Sequence, residues 1–175
     1  MGNGVPNMQL GRVDVVKDDA YLGHVMRFVD KDYSDPDSAE VLSSSYVYTA
    51  FVKNNSGGTL APGLGAVYKT SNVGKEVGGL SGANTIVDGV IDPFLTAAVP
   101  DGSYFLLIIK GPVDVEVGAG DATAGTIAQT LANGKFADGT PGTNPIGHSG
   151  KFAEAASSGS RARLYFNNAF SALQC

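Results

Sequence analysis

The chain contains no tryptophan, one cysteine, two histidines and only 12 basic residues among 175. Each shortage closes off a class of protein. A lone Cys175 cannot form an internal disulfide, so the fold must hold without one and needs no oxidising compartment. Zinc takes several His, Cys or carboxylate side chains at shared spacings, whereas His24, His148 and Cys175 share none, so no metal ligand is assigned. The acidic run Asp30, Asp32, Asp35 and Asp37 lacks the glycine and closing glutamate of a calcium loop, and Asp35-Pro36 reads as the start of a turn. Nucleic-acid affinity rests on Lys and Arg neutralising phosphates, and a formal charge of −5 argues against it. Arg161 and Arg163, two apart on a strand, are read as a solvated face. No apolar run approaches the ~20 residues that span a bilayer, the start carries no signal-peptide pattern, and Pro6 stands where a myristoylation site needs Ser or Thr. No membrane attachment is expected. Lack of tryptophan weighs against a sugar-binding platform, although seven tyrosines leave glycan recognition open.

Catalytic signatures are also incomplete. Gly147-His148-Ser149-Gly150 half resembles a nucleophile elbow, but its second glycine comes one position early. Gly150-Lys151 has Pro145 and Phe152 where a phosphate loop needs Gly and Ser or Thr, and Gly118-Ala119-Gly120 lacks the remaining spacing of a dinucleotide fingerprint. The expectation is a protein without catalytic residues or cofactor, not an enzyme.

What the chain does have is glycine, 24 residues, and enough apolar side chain, 43 %, to bury a core. Its first 45 residues hold eight acidic side chains, with apolar positions irregularly spaced between them. They read as an extended N-terminal arm (1–45), in which Tyr21, Leu22, Val25, Met26, Phe28 and Val29 suggest the stripe of a short helix. The remainder (46–175) reads as a β-barrel-like domain: short β-type runs broken by Gly, Pro, Asn and Asp. Expected strands cover 46–53, 66–69, 85–91, 103–110, 113–117, 126–131, 135–137, 146–155 and 161–166, with 74–84 as a Gly-rich insertion. The unbroken apolar run Tyr104 to Ile109 predicts a central strand buried on both faces, halted at Gly111-Pro112. Asn133-Gly134 predicts a hairpin. The fold class is therefore all-β, a Gly-rich small barrel or sandwich of about eight or nine short strands.

Ile91-Asp92-Pro93-Phe94 through Pro100-Asp101-Gly102, followed by Tyr104 to Val113, resembles part of a tailed-phage head protein. Downstream, Gly120-Asp121, Thr126 to Leu131, Ile146-Gly147, Phe152 to Ala155 and Arg161 to Leu164 are similar to the barrel of capsid decoration, or cement, proteins. That resemblance implies a structural protein made in the host cytoplasm and carried on the outside of the virion. It would bind major capsid proteins, often as a trimer, and stabilise the shell. The arm would suit wrapping a neighbour, with Met8, Leu10, Tyr21, Leu22, Met26 and Phe28 as interface anchors unless they pack on their own domain. Deleting residues 1–45 is then expected to leave a folded β domain. A head-fibre, tail or adhesin module binding host-surface glycan is the alternative.

Overall fold

Residues 8–35, 40–139 and 148–167 are described by a computed structural model. After a single turn of 3-10 helix at Asp19–Tyr21, ten strands follow: β1 (Val25–Lys31), β2 (Val41–Asn54), β3 (Gly65–Tyr68), β4 (Glu76–Leu80), β5 (Gly89–Ile91), β6 (Tyr104–Glu116), β7 (Ile127–Thr130), β8 (Phe136–Asp138), β9 (His148–Phe152) and β10 (Arg161–Asn167). All belong to one hydrogen-bonded sheet in the order β1-β2-β4-β3-β5-β6-β10-β9-β7-β8. The all-β class stands. The sheet as a whole is not a closed barrel, because β1 and β8 lie at its two ends. Within it, β2 also pairs with β6, so β2, β4, β3, β5 and β6 return on themselves around a small apolar centre.

The long strands β2 and β6 organise everything else. Phe105 and Leu107 of β6 pack with Ala50 and Val52 of β2, Leu60, Val77, Ile91 and Val99 inside that ring. Leu106 and Ile108 point the other way, joining Phe51, Val90, Phe136, Phe152, Leu164 and Phe166 in a second cluster. All four β6 side chains are at most 2 % exposed. Continuous apolar sequence thus becomes a strand buried on both faces, and each such side chain contributes about 2 kcal/mol.

Gly111-Pro112 does not halt this strand. Pairing with β2 ends at Tyr48↔Lys110, where a bulge accommodates Ile109, and pairing with β10 runs from Lys110 to Glu116. The strand changes partners there, so Pro112 removes a donor where one side has no ladder to complete. Gly111, at φ 110°, passes so close to β2 that a Cβ would collide with the Tyr46 carbonyl. Glycine is required by that approach.

Three other expectations change. The apolar stripe after Tyr21 is a strand, with Met26 and Phe28 facing the core and Val25, Arg27 and Val29 facing out, a period of two. Glu76–Leu80, inside the expected insertion, is β4, and Gly78 lets it lie against Lys69 of the neighbouring segment. The division drawn between residues 45 and 46 falls inside β2, whose first half pairs with β1. The Asn133-Gly134 hairpin forms as expected, with Asn133 at φ 61° between β7 and β8.

Candidate functional site

The N-terminal segment, residues 8–24, lies as a strap over the body. Its apolar anchors Met8 and Leu10 are 5 % and 3 % exposed within the second cluster. Its polar anchors are carboxylates. Asp92, the residue after β5, is fully buried, and its two oxygens accept from the amides of Gly11 (2.6 Å) and Phe94 (2.9 Å). Burial pushes the Asp92 carboxyl up to about 6, against the pull of those two amides. Asp14, held at φ 56°, accepts from the Tyr104 amide (2.9 Å) and the Ser103 hydroxyl (3.1 Å), while its own amide donates to the Tyr104 carbonyl (2.8 Å). Partial burial pushes Asp14 up, but the Tyr104 amide, Lys17 and Ser103 outweigh it and hold the carboxyl below its usual value. The Tyr104 hydroxyl donates to Asp19 at 2.5 Å and, with Lys53 nearby, holds that carboxyl low too.

Beside the strap opens a cleft of about 450 Å³, lined by Met8, Leu10, Phe28, Tyr33 and Phe94 with Arg12, Lys31 and Asp35 at its polar positions. Tyr33 meets Phe28 and Phe94 edge to face, at 6.1 and 5.5 Å between ring centres, and Lys31 sits 5.0 Å from the Tyr33 ring centre. The ring is therefore engaged by its neighbours within the chain.

A buried ion network fastens the β1–β2 hairpin to the far part of the sheet. Asp30, 1 % exposed, accepts from Arg163 of β10 and from the Ser43 hydroxyl (2.6 Å). Arg163 also donates to Asp114 of β6 at 3.1 Å. Burial lowers the Arg163 pKa, but its carboxylate partners prevail and the guanidinium pKa is raised overall. Arg161 pairs with Glu116 at 2.7 Å and donates to the Pro93 carbonyl at 2.8 Å. Both arginines are thus committed to carboxylates within the chain; Arg161 stays exposed, as expected of a solvated face, while Arg163 is largely withdrawn from solvent.

The structure brings together three of the six proposed anchors, Met8, Leu10 and Phe28, at the cleft. Tyr21, Leu22, Met26 and Phe28 are half-buried against the same core cluster that takes in Met8 and Leu10. All six therefore contact this chain's own body. Sequence reading missed Asp92, Asp14 and the Asp30–Arg163–Asp114 network. A carboxylate set directly after the apolar pair Val90-Ile91 was the available signal for Asp92.

Of the motifs weighed for chemistry, Ser149 is 3 % exposed on β9. Gly147 and Pro145 lie outside the described residues, as do Pro36 and Asp37 of the acidic run. Among the described residues no three His, Cys, Asp or Glu side chains are grouped to hold a metal ion.

Taken together, the geometry defines an all-β body of one sheet, folded around two long strands and closed by a strap. A solved structure has a similar fold: the head fiber gp8.5 N base of bacteriophage phi29, with a TM-score of 0.53 and 17 % sequence identity, matched over 69 % of this chain and 94 % of that one. At this identity the likeness is one of fold. No protein-family model matches the chain, and no curated protein does.

Proposed function

We propose that this chain is a structural protein of a tailed-phage head, acting by protein–protein contact at the outside of the shell and not by catalysis. The observation that carries the reading is the fold shared with a head-fibre base along 94 % of that protein's length. The resemblance of the 91–164 region to decoration proteins, drawn from different reasoning, points to the same location. Two finer roles follow: a decoration protein that cements the shell, and the shell-proximal base of a fibre. The fold likeness favours the second, the sequence resemblance the first. Both require attachment to major capsid protein, with trimeric assembly the expected form.

In either role, shell contact does not come from Met8 and Leu10, which are spent on the chain's own core. The test is co-sedimentation of the purified protein with heads of its own phage lacking it, followed by heating. Saturable binding supports the head role, and a raised rupture temperature selects cement. Binding without thermal protection, with fibres visible by electron microscopy only on heads that carry the protein, selects the fibre base. Protein remaining in the supernatant overturns both.

A further inference from the structure

The outer face of the sheet carries more apolar surface, and the opposite charge, than its surroundings call for. Strands exposed on one side usually present polar side chains to water. Here Val25 (60 % exposed), Val29 (45 %), Tyr46 (44 %) and Tyr165 (50 %) stand out from it. Register puts them on one side. Val29 opposes Tyr46, Arg27 opposes Tyr48, Tyr48 opposes Lys110, Lys110 opposes Asn167, and Tyr165 opposes Lys151. Facing residues in adjacent strands share a face, as do residues two apart in one strand. The surface therefore crosses β1, β2, β6, β10 and β9.

Charge distinguishes this face from the rest of the chain. Arg27, Lys110 and Lys151 are exposed on it, and none makes an ion pair among the described residues. Arg27 instead lies over the Tyr46 ring, 4.3 Å from its centre. The carboxylates that share the face, Asp114 and Glu116, pair with Arg163 and Arg161, and Arg163 also serves the buried Asp30. These three carboxylates stand against the five cations Arg27, Lys110, Lys151, Arg161 and Arg163. An unbalanced positive face thus sits on a chain of formal charge −5. It is also rigid: the Asp30–Arg163–Asp114 network bolts the hairpin to β10 at the margin of this face, so its two halves do not need to be ordered on binding.

We propose that this face is the docking surface for an acidic protein surface, that of the shell subunit. The inference rests on the head-surface reading for the identity of that partner. Charge complementarity selects an acidic partner and would steer its approach. Tyrosine rings and exposed valines supply the apolar contact that a protein, unlike a polyanion, returns. Three cations on a net-acidic chain make no phosphate track, and the face belongs to strands rather than to the cleft beside the strap, which suits a broad partner better than a small molecule.

The test uses the full chain and heads of its own phage lacking it. Three double variants are compared with wild type: Lys110→Glu with Lys151→Glu, Val29→Ser with Tyr165→Ser, and, away from the face, Val73→Ser with Lys135→Glu. Thermal melts establish that each is folded. Expected is a loss of head affinity of about tenfold or more for both face variants, a flattened salt dependence for the charge reversal, and no change for the third. Wild type bound, with the charge-reversed variant bound equally well, overturns this inference and leaves the head role standing. Wild type unbound overturns both. Retention of wild type on heparin, lost in the charge-reversed variant while head binding persists, assigns the face to a polyanion and overturns the proposal.

Discussion

The strap and β6 are both segments laid against one body, yet opposite forces hold them. β6 sends Phe105 and Leu107 into one cluster and Leu106 and Ile108 into another, with ladder partners on both edges. The strap has two buried apolar anchors, and after Leu10 its attachment passes largely to Asp92, Asp14 and Asp19. Apolar burial is non-directional and indifferent to pH. A carboxylate clamp fixes a particular amide at a particular distance and answers to ionisation. One body thus contains a permanent centre and a titratable margin.

The severest way to break this comparison is to delete residues 1–45. The cut removes β1, the first five of the 14 residues of β2, and Met8 and Leu10 from the core. It is expected to abolish cooperative folding, read as loss of the β circular-dichroism signal and of a melting transition. Survival of a folded domain would mean that the strap and hairpin are accessory after all.

Next in size is Leu107→Ala at the centre of β6. A fully buried leucine held on both sides leaves a cavity that its neighbours cannot close, costing about 4 kcal/mol in chemical denaturation. A loss below about 1 kcal/mol would show that the ring repacks and is not the rigid element.

The strap should reveal itself through pH. Asp92 is raised from 3.8 to about 6 in the folded protein, so the folded state binds the proton more tightly than the unfolded chain. Its contribution is fully present below pH 4 and is lost as pH rises through 6, a change worth about 3 kcal/mol. The lowered carboxylates Asp14 and Asp19 act in the reverse sense, adding stability above the usual carboxylate range that is lost as pH falls. Wild-type stability minus that of Asp92→Asn isolates the first effect: the difference should decline between pH 4 and 6. A flat difference would remove Asp92 from the titrating margin.

The smallest effect is expected at Asp14→Ala, about 1 kcal/mol, from loss of the clamp on Tyr104 in a residue whose left-handed backbone disfavours alanine. Asp14→Asn should recover part of it, since asparagine tolerates that backbone and keeps one acceptor. Amide exchange at Tyr104 offers the local readout. If exchange there is unchanged in the alanine variant, the strap is held by its apolar anchors alone.

Legibility in the sequence followed locality. The run Tyr104 to Ile109 announced its double burial because both faces of a strand are written in consecutive residues, and Asn133-Gly134 announced its hairpin because a tight turn is chosen by the two residues in it. β1 was obscured because Tyr21 and Leu22, which precede the strand, merge with Val25, Met26, Phe28 and Val29 into a helix-like spacing. β4 was obscured by Gly78 and Gly79, the first of which serves a close approach to Lys69 of another segment. The six proposed anchors pack on the chain's own core, a choice of surface that depends on where the rest of the chain lies.

By itself the sequence determined an all-β, glycine-punctuated body without an internal disulfide, because period, turn chemistry and cysteine count are properties of short stretches or of composition. Only the tertiary structure decided that Gly11 would meet Asp92 across 81 positions and Asp30 would meet Arg163 across 133. It also decided that Arg27, Lys110 and Lys151, far apart in an acidic chain, would stand together on one exposed face. Hydrogen bonds and ion pairs form between groups that the sheet carries within a few ångströms, and that proximity is fixed by strand order and register, which no local window encodes.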